Sequence, residues 1–189
     1  MTLLRATDAG WTAAVTESFD QFLLDHAACE RKASAMAVSL VVHYPDRPHL
    51  VSAMTDLAIE ELAHFREVMK LVLARRLTFR RDEKDAYVNA LSKHARRGTE
   101  EYLLDRLLIA AVVEARGCER FALLGEALTD PEMAAFYRRI AASESRHAAL
   151  FVELAQRYAQ PGSVASRLDE LLGIEAALVA ELPFRPALH

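Results

Sequence analysis

The feature that most restricts what this chain can fold into is a pattern that occurs twice: a glutamate and, some thirty residues later, a Glu-x-x-His. Glu61-Leu-Ala-His64 and Glu144-Ser-Arg-His147 each set a carboxylate and an imidazole three residues apart, which is one face of a helix. Glu30 stands 31 residues before Glu61, and Glu114 stands 30 before Glu144. With 7 histidines and 17 glutamates, roughly 0.6 Glu-x-x-His pairs are expected by chance. The pair alone therefore says little, and the repeated upstream glutamate is what makes the pattern rare.

Helix punctuation places both copies on antiparallel hairpins. A first long helix is expected from about Thr12 to His43, stopped by Tyr44-Pro45-Asp46-Arg47-Pro48, because residues before proline disfavour the α conformation. Phe22, Leu23, His26, Glu30, Ala37 and Leu40 recur along it at helical spacing. A second helix runs from about His49 to Arg75, with Met54, Leu57, Glu61, His64, Val68 and Leu71 on one face. A connection from Arg76 to Arg97 follows, with a short helix from Asp82 to about His94. A third helix starts at Gly98-Thr99 and carries Leu107, Ala111, Glu114, Cys118 and Phe121. A fourth starts after Asp130, a good N-cap, with Pro131 at its first position, and ends at about Tyr158. A last amphipathic helix is expected from Val164 to Glu181.

In an antiparallel pair, residues equidistant from the turn share a height. Glu30 and the Glu61/His64 pair straddle the Tyr44–Pro48 turn, and Glu114 and the Glu144/His147 pair straddle the turn at Asp130. Both hairpins bring their ligands to mid-bundle, about sixteen residues or about 24 Å from the turns. The expected fold is all-α: a four-helix bundle with a long crossover connection and extra short and C-terminal helices, one domain over residues 1–189.

A carboxylate in an apolar stripe is expensive unless a cation neutralises it. Four carboxylates and two imidazoles suit two divalent ions, and mixed oxygen and nitrogen ligands with room left for dioxygen favour iron or manganese. Glu119 is the rival to Glu114, since Cys118-Glu119-Arg120 parallels Cys29-Glu30-Arg31. It lies about 140° round the helix from Glu114, off the stripe, and is expected to pair with a basic neighbour. His26, one turn before Glu30, reads as a core histidine bonded to a carbonyl in preference to a partner of the metal ligands. Phe22, Phe65 and Phe121 would keep such a site dry.

The rest of the composition excludes several classes. No apolar run reaches the length of a membrane span, and the first residues lack the charged-then-apolar order of a signal peptide, so a cytoplasmic protein is expected. Cys29 and Cys118 are too few for a zinc or iron–sulfur site and read as small buried hydrophobes, unbridged. The net charge is −4, yet Arg66 to Arg97 holds ten basic residues against four acidic ones. A local phosphate grip is thus compatible with an acidic chain.

The segments Leu24-Asp-His-Ala-Ala-Cys-Glu-Arg-Lys32, Glu60-Glu-Leu-Ala-His-Phe65, Val113-Glu-Ala-Arg-Gly-Cys-Glu-Arg-Phe121 and Ser143-Glu-Ser-Arg-His147 resemble the tRNA-(2-methylthio-N6-isopentenyladenosine) hydroxylases, the MiaE family, within the ferritin-like di-iron superfamily. The resemblance covers about residues 10 to 180. It implies a non-haem di-iron monooxygenase with O2 as co-substrate, in which Glu30, Glu61, His64, Glu114, Glu144 and His147 hold two iron ions. The implied substrate is tRNA, hydroxylated on the isopentenyl side chain of the modified adenosine next to the anticodon. Two external electrons are needed, and the chain has no flavin fingerprint, so a separate reductase is implied. Arg75, Arg76, Arg80, Arg81, Arg96 and Arg97 are the expected contacts to the anticodon stem. The assembly is expected to be a monomer or small oligomer. The alternative is a ferritin-like iron-storage protein with no nucleic-acid substrate.

Overall fold

The computed structural model describes residues 1–79, 81, 84–183 and 185–189. All regular elements among them are helices: α1 (Ala9–Glu17), α2 (Phe19–His43), α3 (Pro48–Ala74), α4 (Ala86–Ser92), α5 (Thr99–Ala127), α6 (Pro131–Tyr158) and α7 (Pro161–Glu181). The chain is all-α, as the helical spacing requires. Its contacts group it into two compact units. One comprises Val15–Glu83 with Pro186–Leu188, the other Met1–Ala14 with Lys84–Arg185 and His189.

The first unit is the α2–α3 hairpin. Its turn is short because Tyr44 ends α2, its N–H still donating to the Leu40 carbonyl at 3.0 Å, while Pro48 opens α3 where its missing N–H costs nothing. The buried stripe of α2 is Phe22, Leu23, His26, Ala27, Glu30, Ser34, Ala37 and Leu40. That of α3 is Leu50, Met54, Leu57, Ala58, Glu61, His64, Val68 and Val72. Four ionisable side chains, His26, Glu30, Glu61 and His64, therefore lie inside stripes that are otherwise small or apolar. Ser34 Oγ donates to the Ala58 carbonyl at 2.8 Å and ties the two helices together close to these groups.

The second unit is built on the α5–α6 hairpin. Asp130 caps α6 by accepting from the N–H groups of Glu132 (2.9 Å) and Met133 (3.3 Å), with Pro131 at the first position. Near this turn the helices approach so closely that a Cβ on Gly125 would lie 3.2 Å from the Arg138 backbone nitrogen and 3.3 Å from the Ala134 carbonyl. Gly98, at φ +126, supplies the left-handed residue from which α5 starts.

Three expected boundaries are corrected. The first long helix is interrupted at Ser18 (φ −116, ψ 42), which separates α1 from α2; no proline or glycine marks the break. The short connecting helix is capped by Asp85, whose carboxylate accepts from Val88 N–H at 3.0 Å, and spans only Ala86–Ser92; the expected cap, Asp82, lies outside the described residues. The last helix begins at Pro161 and not at Val164, since proline is preorganised for the first helical turn.

The link between α4 and α5 is held by Asp105 on α5, which is wholly buried. Its carboxylate accepts from the Arg96 backbone N–H (2.7 Å) and guanidinium (2.7 Å to Nη2) and from the Arg167 Nη2 (2.8 Å) of α7. Burial alone would raise its pKa, but the donors of Arg96 and Arg167 outweigh this and hold it below the ordinary 3.8. Asp105→Asn should cost about 3 kcal/mol in chemical denaturation at neutral pH, the lower end for a buried ion network because Arg96 is exposed and can rehydrate. A depressed carboxylate stabilises above its unfolded pKa and stops doing so as pH falls through the folded value. The wild type should therefore lose this increment on acidification below about pH 4, and the Asn variant should lack that part of the acid limb.

Candidate metal centre

Each hairpin carries one triad. In the α2–α3 unit, ligand atoms of Glu30, Glu61 and His64 all lie within 4.8 Å of one another, and in the α5–α6 unit those of Glu114, Glu144 and His147 do the same. All six are buried, with exposures from 1% for Glu61 to 7% for Glu114. The six residues singled out by spacing therefore lie three to a hairpin.

The first triad is organised around His64 Nδ1, 3.5 Å from Glu30 Oε2 and 3.6 Å from Glu61 Oε2. Its other ring nitrogen lies 4.0 Å from Glu60 at the edge. Burial alone would lower the pKa of His64, yet the Glu30 and Glu61 carboxylates outweigh it and push it up to about 10. The same two carboxylates would favour a metal cation, which would take the place of that proton. In the second triad His147 again turns Nδ1 towards its partner acid, 3.9 Å from Glu144 Oε2. Glu144 Oε1 is buried with no hydrogen-bond partner among the described residues, which is costly for a carboxylate oxygen that nothing else satisfies. Hard carboxylate oxygens with one imidazole per triad fit ferrous or manganous ions. The residues present therefore fit a metal at each triad.

Glu119, the rejected alternative to Glu114, points elsewhere. It accepts from Arg116 Nη1 and from the N–H and Oγ1 of Thr7, at 3.0 and 2.7 Å, as its position off the stripe required. His26 departs from expectation: its Nε2 lies 2.6 Å from Glu30 Oε1, so it bonds a triad carboxylate. The cysteines are free, as expected, but each is only half-buried. Burial, and then the Glu144 charge, push the Cys118 thiol up, away from reactivity.

Behind the second triad lies a network that sequence reasoning missed. Arg116, wholly buried, donates from Nε to Glu175 Oε1 of α7 at 2.8 Å and from Nη2 to the Arg5 carbonyl at 2.8 Å. Tyr87 of α4 donates to the same Glu175 oxygen at 3.2 Å; burial, with the Glu175 charge, pushes its pKa well above 10. Arg120, stacked over Trp11 at 5.3 Å, is pulled down to about 10 by burial and the neighbouring Arg116 charge. Glu175 looked like any solvent-facing acid of an amphipathic helix, and only Arg116, two residues after Glu114, hinted at a buried partner.

The six arginines expected at tRNA are not alike. Arg75 pairs with Asp20 at 2.8 Å and covers the Phe19 ring, and Arg96 is engaged by Asp105. Arg76, Arg81 and Arg97 are exposed, and Arg80 lies outside the described residues. No helix among the described residues is long and apolar enough to cross a membrane.

The family model for tRNA-(MS2IO6A)-hydroxylase (MiaE) matches residues 1–189. The chain belongs to the MiaE family. Among relatives of this MiaE-family chain, the tRNA 2-(methylsulfanyl)-N(6)-isopentenyladenosine(37) hydroxylase of Pseudomonas putida is 33% identical over 173 residues, 92% of this chain and 84% of the relative. The enzyme of the same name from Salmonella typhimurium is 32% identical over 130 residues, 69% of this chain and 47% of the relative. A solved structure of a Synechococcus protein with aldehyde deformylating oxygenase activity superposes with a TM-score of 0.93 at 33% identity, covering 99% of this chain and 94% of that one. The fold is that of the ferritin-like helical oxygenases.

The Arg116–Glu175 pair sets a stability test. Glu175→Ala strands a buried guanidinium and should cost about 3–5 kcal/mol in chemical denaturation, whereas the double replacement Arg116→Met with Glu175→Leu should recover most of it.

Proposed function

We propose that this chain is an O2-dependent di-iron monooxygenase that hydroxylates the isopentenyl side chain of 2-methylthio-N6-isopentenyladenosine beside the tRNA anticodon. The observation that carries the reading is the duplicated buried triad, Glu30/Glu61/His64 and Glu114/Glu144/His147, in a chain of the MiaE family. A hydroxylation puts one oxygen atom of O2 into the C–H bond and releases the other as water; beyond the two electrons of the C–H bond it needs two more in all, which an external reductase would deliver through an iron pair held by these residues.

The protein's own part is to hold and shelter. Glu30, Glu61, Glu114 and Glu144 would offset the charge of two divalent ions, and His64 and His147 would complete their protein ligands. Phe22 and Phe121, both buried, exclude water beside each triad's helix; Phe121 stacks on Tyr137 at 5.7 Å. Iron reconstitution should give two ions per chain, and Glu144→Ala should lower this to one or fewer by elemental analysis. Nucleosides of tRNA from cells lacking the gene should retain the isopentenyl group without its hydroxyl. Unchanged hydroxylated nucleoside would remove the proposed substrate.

For the nucleic acid, phosphates of the anticodon stem are assigned to the basic connection. Arg76, Arg81 and Arg97 are exposed cations of it, with Arg80 beside them in sequence; Arg75 and Arg96 combine such a role with their ion pairs to Asp20 and Asp105. Reversing Arg76, Arg81 and Arg97 to Glu should weaken tRNA binding at least tenfold and shrink its salt dependence, read by filter binding at several salt concentrations. Affinity and salt slope equal to wild type would overturn this assignment.

A further inference from the structure

The two triads are near copies, but they differ one helical turn before the upstream glutamate. His26 precedes Glu30 by one helical turn, is wholly buried, and brings Nε2 to 2.6 Å from Glu30 Oε1. The corresponding position one turn before Glu114 is Ala110, also buried. An ionised carboxylate can only accept, so the His26 Nε2 carries the proton and donates it. The bond is short and charge-assisted, and the ring is fixed by the wall of α2: its centroid lies 5.9 Å from that of Phe22. With Oε1 engaged, Glu30 presents Oε2 to His64 Nδ1 at 3.5 Å. A carboxylate held in this way offers the triad one oxygen; Glu114 has no histidine at the equivalent place.

We propose that His26 is a positioning residue that confines Glu30 to single-oxygen ligation, and so makes the two metal positions chemically inequivalent. The inference rests on the reading that both triads hold iron. One position has a preset first carboxylate and is the tighter, and the other has an acid whose orientation the histidine does not fix. Partners of this kind typically change metal affinity by about 10–100-fold.

The test is anaerobic titration of the apoprotein with ferrous ion, followed by calorimetry, with Mössbauer spectra of the iron-57 protein. Variants are His26→Leu, which keeps an apolar filler but removes the donor, and His26→Gln, which keeps a donor at similar reach. Wild type should show one tight and one weaker ion with two resolved quadrupole doublets. His26→Leu should weaken only the tight ion, at least tenfold, and shift only its doublet, and His26→Gln should restore most of both. Identical affinities and spectra in His26→Leu would overturn the proposal while leaving two irons per chain intact. So would an equal loss at both positions in both variants, which is what a general packing role would produce. Wild-type protein that takes up no iron would sink the di-iron reading and this inference with it.

Discussion

Removing a carboxylate from water is among the most expensive things a fold can do, and at its two triads this chain does it twice in each hairpin, with a buried histidine beside each pair. Apart from His26 on α2 and the buried Asp105, Arg116 and Arg120 of α5, the rest of the stripes of α2, α3, α5 and α6 is the small and largely apolar set that packs any helical pair. Glu30, Glu61, Glu114 and Glu144 gain nothing from packing there. A bound cation would offset the cost of burying them, and much of the surrounding structure serves to keep those acids in place.

That support is partly polar and specific to each unit. In the α2–α3 unit, Ser34 bridges to the Ala58 carbonyl and His26 clamps Glu30, so both helices are fixed in register around His64. In the α5–α6 unit, α5 is anchored by buried charge at two heights: Asp105 gathers Arg96 and Arg167, and Arg116 gathers Glu175, Glu119 and the N-terminal segment through Arg5 and Thr7. Such pairs add little net stability over apolar packing, but they are costly to break and so specify one arrangement. The helix that presents Glu114 is thereby tied to α4, α7 and the segment before α1.

What could be read from the sequence was whatever has a local physical signature. Pro48 and the Asp130-Pro131 cap fixed both hairpin turns, and with them the height at which each upstream glutamate meets its Glu-x-x-His. Glu119 could be set aside from helix geometry alone. The misses share a cause: they depend on partners distant in sequence. Nothing near Glu175 says that Arg116, 59 residues earlier, will meet it in the interior. Arg96 looked like one more cation of a basic connection, and only the fold shows its guanidinium on Asp105. The interruption at Ser18 has no proline or glycine to announce it, and the cap at Asp85 sits only three residues from the equally plausible Asp82.

The measurement that bears most directly on the central claim is a crystal structure of iron-reconstituted protein with anomalous differences collected on both sides of the iron edge. Two iron peaks should appear, one ligated by Glu30, Glu61 and His64 and one by Glu114, Glu144 and His147. Iron bound elsewhere, or a fully loaded crystal in which either triad holds none, would contradict the account.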